Sequence, residues 1–330
     1  MSVNIREFGS RGIRYLGIAL RETVIWSYTP IICIPTVWLA LFFTREYYFS
    51  ETDGGIGMMS IVYGVLLILG ICMGAVAAGH LLNGKKADAY LLAPIGRRRL
   101  MAIRLITMLF LCAVLILITY VGFYFFTGAE NPRFYENEAY FDVIAPSGVW
   151  DLSVRYSGAG LWCLYGVREF SFAFVPFFLG YGIGAFCSVL SSFPVFSMLH
   201  AILLLVINAA SVLPLTWTHK FGITSAVISA AVSPVWFIAW MGVGEFVEKD
   251  SVTLCWTVAS VLLLALAVAF APSVRAERRG RFLASGKFAL FYLFYIALSV
   301  GLFCFIYYAP DSAARVVRWL FGIDLPVFLN

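Results

Sequence analysis

The chain reads as an all-α, polytopic membrane protein, and three observations predict this. Of its 330 residues, 62% are hydrophobic and only 12% are charged, a composition far from that of a soluble domain. Seven apolar runs are each long enough to cross a bilayer, since a helix needs about 20 apolar residues to span a ~30 Å hydrocarbon core. The Lys and Arg residues fall on alternate loops between those runs.

The elements follow in order. Residues 1–22 set Arg6, Arg11, Arg14 and Arg21 among Ile5, Phe8, Ile13, Tyr15, Leu16, Ile18 and Leu20. This pattern suits a basic amphipathic helix lying on the cytoplasmic leaflet. No small-residue cleavage site follows, so it does not read as a signal peptide. Residues 24–43 form the first span, with Pro30 and Pro35 as expected kinks. Residues 56–82 form the second, longer than a bilayer requires and so expected to tilt. Residues 105–127 form the third. An acidic, aromatic external segment, 128–169, then precedes two spans within 170–215, divided at Ser191-Ser192-Phe193-Pro194. Residues 252–272 and 288–309 are the sixth and seventh. The resulting division is an interfacial helix (1–22), a transmembrane bundle (23–272), a basic cytoplasmic loop (273–287), and an additional helix with an external tail (288–330).

Charge sets the orientation. The N-terminal arginines, the stretch Lys85, Lys86, Arg97, Arg98, Arg99 and Arg104, and the stretch Arg275, Arg278, Arg279, Arg281 and Lys287 share one side. They make 15 of the 23 Lys and Arg, against four acids, Glu7, Glu22, Asp88 and Glu277. Cationic loops resist translocation, so this side is expected to be cytoplasmic, together with the N-terminus. The net charge of +5 thus points to membrane lipid and a cytosolic partner rather than to nucleic acid. Residues 221–246 are apolar and rich in small residues, with Ser233-Pro234 in the middle. If they crossed the membrane, the basic loop 273–287 would move outside. They are therefore expected to dip into the outer leaflet and return, which requires protein to cover the broken backbone.

The sequence argues against chemistry of its own. Gly79 to Lys86 has a phosphate-loop cadence, but it is one residue short, Lys86 replaces the magnesium-binding hydroxyl, and a membrane helix precedes it rather than a strand. His80, His200 and His219 lack ligand spacing. Six of the seven cysteines lie in apolar runs and only Cys163 in an external segment, so no disulfide framework is expected. The predicted spans hold no Asp, Glu, Lys or Arg, although ion-driven transporters usually carry such groups. The chain is thus expected to be no enzyme, with no catalytic, cofactor or metal site. If it moves a substrate, the energy enters from outside. The natural entry points are residues 85–105, whose Leu91-Leu92-Ala93-Pro94-Ile95 core is too apolar for a solvated loop, and residues 274–291.

Those two segments carry a resemblance. Lys85 or Lys86, Asp88, Tyr90, Leu92, Pro94, Arg97 and Leu100 form a pattern similar to the loop after the second helix in permease subunits of Gram-positive ABC-type-2 exporters. Arg275, Glu277 and Gly280 resemble that family's second cytosolic stretch, with one residue fewer between Arg and Glu. The resemblance implies a six-helix ABC-type-2 permease bundle with an N-terminal interfacial helix, re-entrant helices between helices five and six, and here an additional seventh helix. It also implies a bacterial cell membrane, a dimer of cytosolic ABC ATPase subunits as partner, and a second permease subunit, the same or a sister chain. ATP and magnesium would sit on the ATPase and none on this chain. Asp88, Tyr90, Leu91, Leu92, Pro94, Ile95, Arg97 and Arg98 would form the coupling contact, with Arg275, Glu277, Arg278 and Arg279 as a secondary one. The competing reading is a non-transporting membrane sensor or assembly protein that docks a cytosolic partner through the same loops.

The charge bias yields a test. An Arg279→Cys variant should resist an impermeant thiol reagent in intact cells, as should cysteines placed in 83–104. Labelling at position 279 from outside would reverse the arrangement.

Overall fold

The computed structural model describes residues 35–42, 54–82, 96–130, 158–191, 194–217, 229–230, 233–241, 249–273, 286–309, 312 and 315–316. Among these residues the protein is all-helical. The helices are α1 (Gly54–Leu82), α2 (Arg97–Glu130), α3 (Gly158–Ser191), α4 (Pro194–Trp217), α5 (Pro234–Met241), α6 (Lys249–Phe270) and α7 (Gly286–Tyr308), with a 3-10 turn at Ala271–Ser273. Five of them contain stretches long and apolar enough to cross a membrane: Ser60–Gly79, Arg97–Phe123, Phe170–Ser191, Val195–Val212 and Val252–Phe270. The chain is a multi-pass membrane protein. A helix, α7, stands where the seventh span was expected, but its apolar stretch, Ala289–Phe305, is shorter than those five. The predicted first span is described only as helix at 35–42, where Trp38 meets Phe123 of α2 edge-on at 6.0 Å.

Helix α3 is the hub. Its apolar stretch is 89% buried, against 17% for that of α6, and it packs on α1, α2, α4 and α6. Its tightest contact is with α1, where glycines bring the backbones together. A Cβ added at Gly70 would strike the Phe177 carbonyl, and one at Gly74 the Tyr181 carbonyl. Reciprocally, a Cβ at Gly180 would strike the Leu67 carbonyl, and one at Gly184 that of Ile71. Two Gly-x-x-x-Gly pairs thus interlock. Lipid tails are as apolar as leucine, so close backbone packing of this kind, not water exclusion, holds membrane helices together. The contacts climb both helices in the same direction, so α1 and α3 run parallel. Parallel packing is what the second and fourth spans of the predicted topology require.

Each remaining face of α3 has its own chemistry. Gly182 points away from α1 and lets Ser260 of α6 approach, its carbonyl 3.1 Å from where a Cβ would stand. Tyr181 is fully buried, and its hydroxyl donates to the Leu105 carbonyl of α2 at 2.8 Å. The Ser188 hydroxyl donates to the Ala75 carbonyl of α1 at 3.1 Å. Pro176 lies within α3 and deprives the Phe172 carbonyl of its helical donor.

The turn between α3 and α4 falls where the sequence puts it. Helix α3 ends at Ser191 and α4 starts at Pro194, a residue suited to the first helical position because it lacks the amide that would go unbonded there. Ser191 and Ser197 tie the two helix ends, Oγ to Oγ, at 2.9 Å.

Two expectations are corrected. The helices reach into the segment 128–169, expected to lie wholly between spans: α2 continues to Glu130 and α3 begins at Gly158. Cys163 of that segment stands in α3, ahead of the membrane-crossing stretch that begins at Phe170. Arg104, counted as a loop charge, lies within α2 and is only 8% exposed. The cause is common to both. Hydropathy marks the lipid-crossing part of a helix, but the backbone hydrogen-bond ladder does not stop at the headgroups.

The glycine contact yields the second test. Gly74→Leu and Gly180→Leu should each lower thermal stability in detergent by ~1–3 kcal/mol or more, the usual cost of overpacking. Gly64→Leu, with nothing within 4 Å of its added Cβ, should be nearly silent. Equal loss at all three positions would count against the backbone contact.

Candidate functional site: the basic end of the bundle

The bundle has two distinguishable ends. At one, α1 and α3 finish together, linked by Ser188 and Ala75. Helix α2 starts there, with Leu105 against Tyr181. So does α4, through Ser191 and Ser197. Helix α7 starts there too, with Phe291 packed edge-on against Phe186 of α3 at 5.4 Å. At the other end, Ser60 near the start of α1 donates to the Ala239 carbonyl at 2.9 Å. The start of α6 joins them: Trp256 Nε1 donates to the Ala230 carbonyl at 2.9 Å, and the Trp256 ring meets Phe237 at 6.1 Å.

Two consequences follow. Helix α1 ends, and α2 and α7 begin, at the first end, so the helices that follow the two basic stretches picked out in the sequence start from a common end. The described part of 221–246 packs instead at the other end, on α1 and α4 and, through Trp256, on α6. Helix α5 has 8 residues, about 12 Å of rise, too short to cross a bilayer.

Among the described residues, the exposed charge at the first end belongs to α2. Arg97, Arg98 and Arg99 are all exposed. The Gly96 carbonyl accepts from the amides of Arg99 at 3.0 Å and Leu100 at 3.2 Å, closing the first turn. That turn contains no acid. Three cations at a helix N-terminus oppose its dipole, by ~0.3–1 kcal/mol each where exposed. Helix stability therefore does not explain them. Leu100 and Met101 turn inward and are buried, so the helix passes from a charged tip to packed core within one turn.

Of the predicted coupling residues, Arg97 and Arg98 stand at this tip. Asp88, Tyr90, Leu91, Leu92, Pro94 and Ile95 lie outside the described residues, as do Arg275, Glu277, Arg278, Arg279 and the interfacial helix 1–22. Among the described residues there is no group of His, Cys, Asp and Glu that could hold a metal ion.

A polar seam escaped sequence reasoning. His200 of α4 is fully buried, its ring 5.2 Å from that of Tyr292. The Tyr295 hydroxyl donates to the Leu204 carbonyl at 3.1 Å and lies beside Asn208 and Ser299. The α4 positions 200, 204, 208 and 211 share one helical stripe, and so do 292, 295 and 299 on α7. The signal was present as polar residues eight and three positions apart on α4, and three and four apart on α7, inside apolar runs.

Comparison with protein-family models, curated proteins and solved structures finds no match to this chain.

The contrast between tip and core gives the third test. Arg98→Ala should change thermal stability by less than ~0.5 kcal/mol, as exposed substitutions do, whereas Arg104→Ala should cost ~0.5–3 kcal/mol. Equal effects would show that Arg104 is not packed as described.

Proposed function

We propose that this protein is the transmembrane subunit of an ATP-driven ABC exporter, built on a six-helix ABC-type-2 permease bundle with a seventh helix added. The single observation that supports this reading is that α2 and α7, the helices that follow the two basic stretches, begin at the same end of the bundle, where Arg97–Arg99 are exposed. One cytosolic partner can then contact both stretches together. In this reading that end faces the cytoplasm of a bacterial cell, the N-terminus with it, and the short helix at 234–241 belongs to a re-entrant pair at the outer mouth. The partner is a dimer of ABC ATPase subunits, which binds the ATP and magnesium, and a second permease subunit completes the translocation path.

Loop 85–100 seats in a groove of the ATPase. Leu91, Leu92 and Ile95 supply apolar anchors, Pro94 fixes the exit angle through its locked backbone, and Arg97 and Arg98 meet acids on the rim. Closure of the ATPase dimer then tilts the helices that begin at this end as rigid bodies. The secondary contact at Arg275, Glu277, Arg278 and Arg279 adds a second point of attachment and so limits swivelling.

The test is copurification in detergent with the ATPase of a neighbouring reading frame, at matched permease levels. Leu92→Asp should abolish recovery, since a buried interface leucine is worth ~2 kcal/mol or more. Arg98→Ala should change it little, because a rim charge contributes ~0–1 kcal/mol. The purified chain alone should hydrolyse no ATP. Undiminished recovery with Leu92→Asp would remove the loop as the main contact.

A further inference from the structure

We propose that Tyr181 is the positioning residue that makes α2 and the α1–α3 pair tilt as one body when the partner acts on the basic end; this rests on the function proposed above. Three observations meet at this side chain. Tyr181 is fully buried at the centre of the bundle. Its backbone forms the middle of the glycine contact: the atoms nearest a Cβ at Gly70 include its amide, and the nearest to one at Gly74 is its carbonyl. Its hydroxyl reaches the other way, to the Leu105 carbonyl of α2. A single residue is therefore part of α3, held by α1 through its main chain, and bonded to α2 through its side chain.

The position along α2 matters as much as the bond. Leu105 is eight residues from Arg97, about 12 Å along the axis, so the bond is made within the first few turns above the exposed arginines. The Leu105 carbonyl already serves α2 as a helical acceptor, and a carbonyl has a second lone pair to offer. The link thus ties two main chains without disturbing either helix. Dispersion contacts resist separation of two helices more strongly than sliding between them. A directed O–H···O bond fixes the register, because moving one end along the axis lengthens the bond. In a setting without water, the hydroxyl has no competing partner to move to.

The hydrogen bond rather than the ring is the subject of the test. Spin labels are placed through Ile106→Cys on α2 and Ile68→Cys on α1, positions that are 66% and 62% exposed, with the native cysteines replaced. The labelled permease is assembled with its ATPase, and the inter-label distance is measured with and without trapped nucleotide. With Tyr181 present the distance should not change. In Tyr181→Phe it should shift on nucleotide trapping by about 2 Å, the scale of helix sliding, while ATPase recovery stays undiminished. Para-aminophenylalanine at position 181 restores an N–H donor and should abolish the shift, which a purely structural role for the ring would not predict. An unchanged distance in Tyr181→Phe, or a shift already present with tyrosine, overturns the proposal and leaves the function standing. Failure of the ATPase to bind the tyrosine form overturns both.

Discussion

The bundle depends on the meeting of four glycines, Gly70 and Gly74 of α1 with Gly180 and Gly184 of α3. In water, two helices this apolar would be driven together by solvent exclusion. In a bilayer that force is missing, and what remains is contact distance. Without side chains in between, backbone carbonyls lie against the Cα–H groups of the facing helix, weak bonds that add up along a seam. The geometry is demanding, since any side chain at these four positions would occupy space already held by the main chain of the other helix. That places α3 at the centre of the molecule, and the other helices arrange themselves around it.

Around this centre the protein uses several kinds of adhesion. Tyr181, Ser188 and Ser191 supply hydrogen bonds from α3 or at its end. Phe170, Phe174 and Phe178 form a run of rings along it, with centroid spacings of 5.4 and 5.7 Å. Helix α7 is joined to α4 by the ring contact of Tyr292 with His200 and by the bond from the Tyr295 hydroxyl to the Leu204 carbonyl, which is directional and so fixes the register of two otherwise smooth cylinders. Elsewhere the outward faces of α2, α4, α6 and α7 carry large apolar side chains such as Phe110, Leu199, Leu262 and Leu293, the surface expected of helices that meet lipid.

Much of this was legible in the sequence, for definite reasons. Hydropathy located the spans because crossing a bilayer constrains every residue in a run. The distribution of Lys and Arg grouped the loops before the third and seventh spans, and α2 and α7 do begin at a common end of the bundle. The glycine seam was also written in the sequence, as Gly70-x-x-x-Gly74 and Gly180-x-x-x-Gly184, but spacing alone does not say which helix a glycine faces. Arg104 misled because a charge five residues past a basic cluster looks like its continuation. Only the helical path shows that it has turned inward. The polar seam of α4 and α7 stayed hidden because Ser, Asn, Tyr and His at long intervals barely alter a hydropathy average.

The parallel pairing of α1 with α3 has a consequence for biogenesis. Gly74 and Gly184 are 110 positions apart, and an oppositely directed helix is made between them. At ribosomal speeds of roughly 5–20 residues per second, α1 waits about 5–20 s in the membrane before its partner exists. During that interval its flat glycine face is open to any small-residue helix nearby, including the same face of another nascent chain. Correct assembly is therefore a race between elongation and mispairing, and slow translation through α2 lengthens the period in which the wrong neighbour can win.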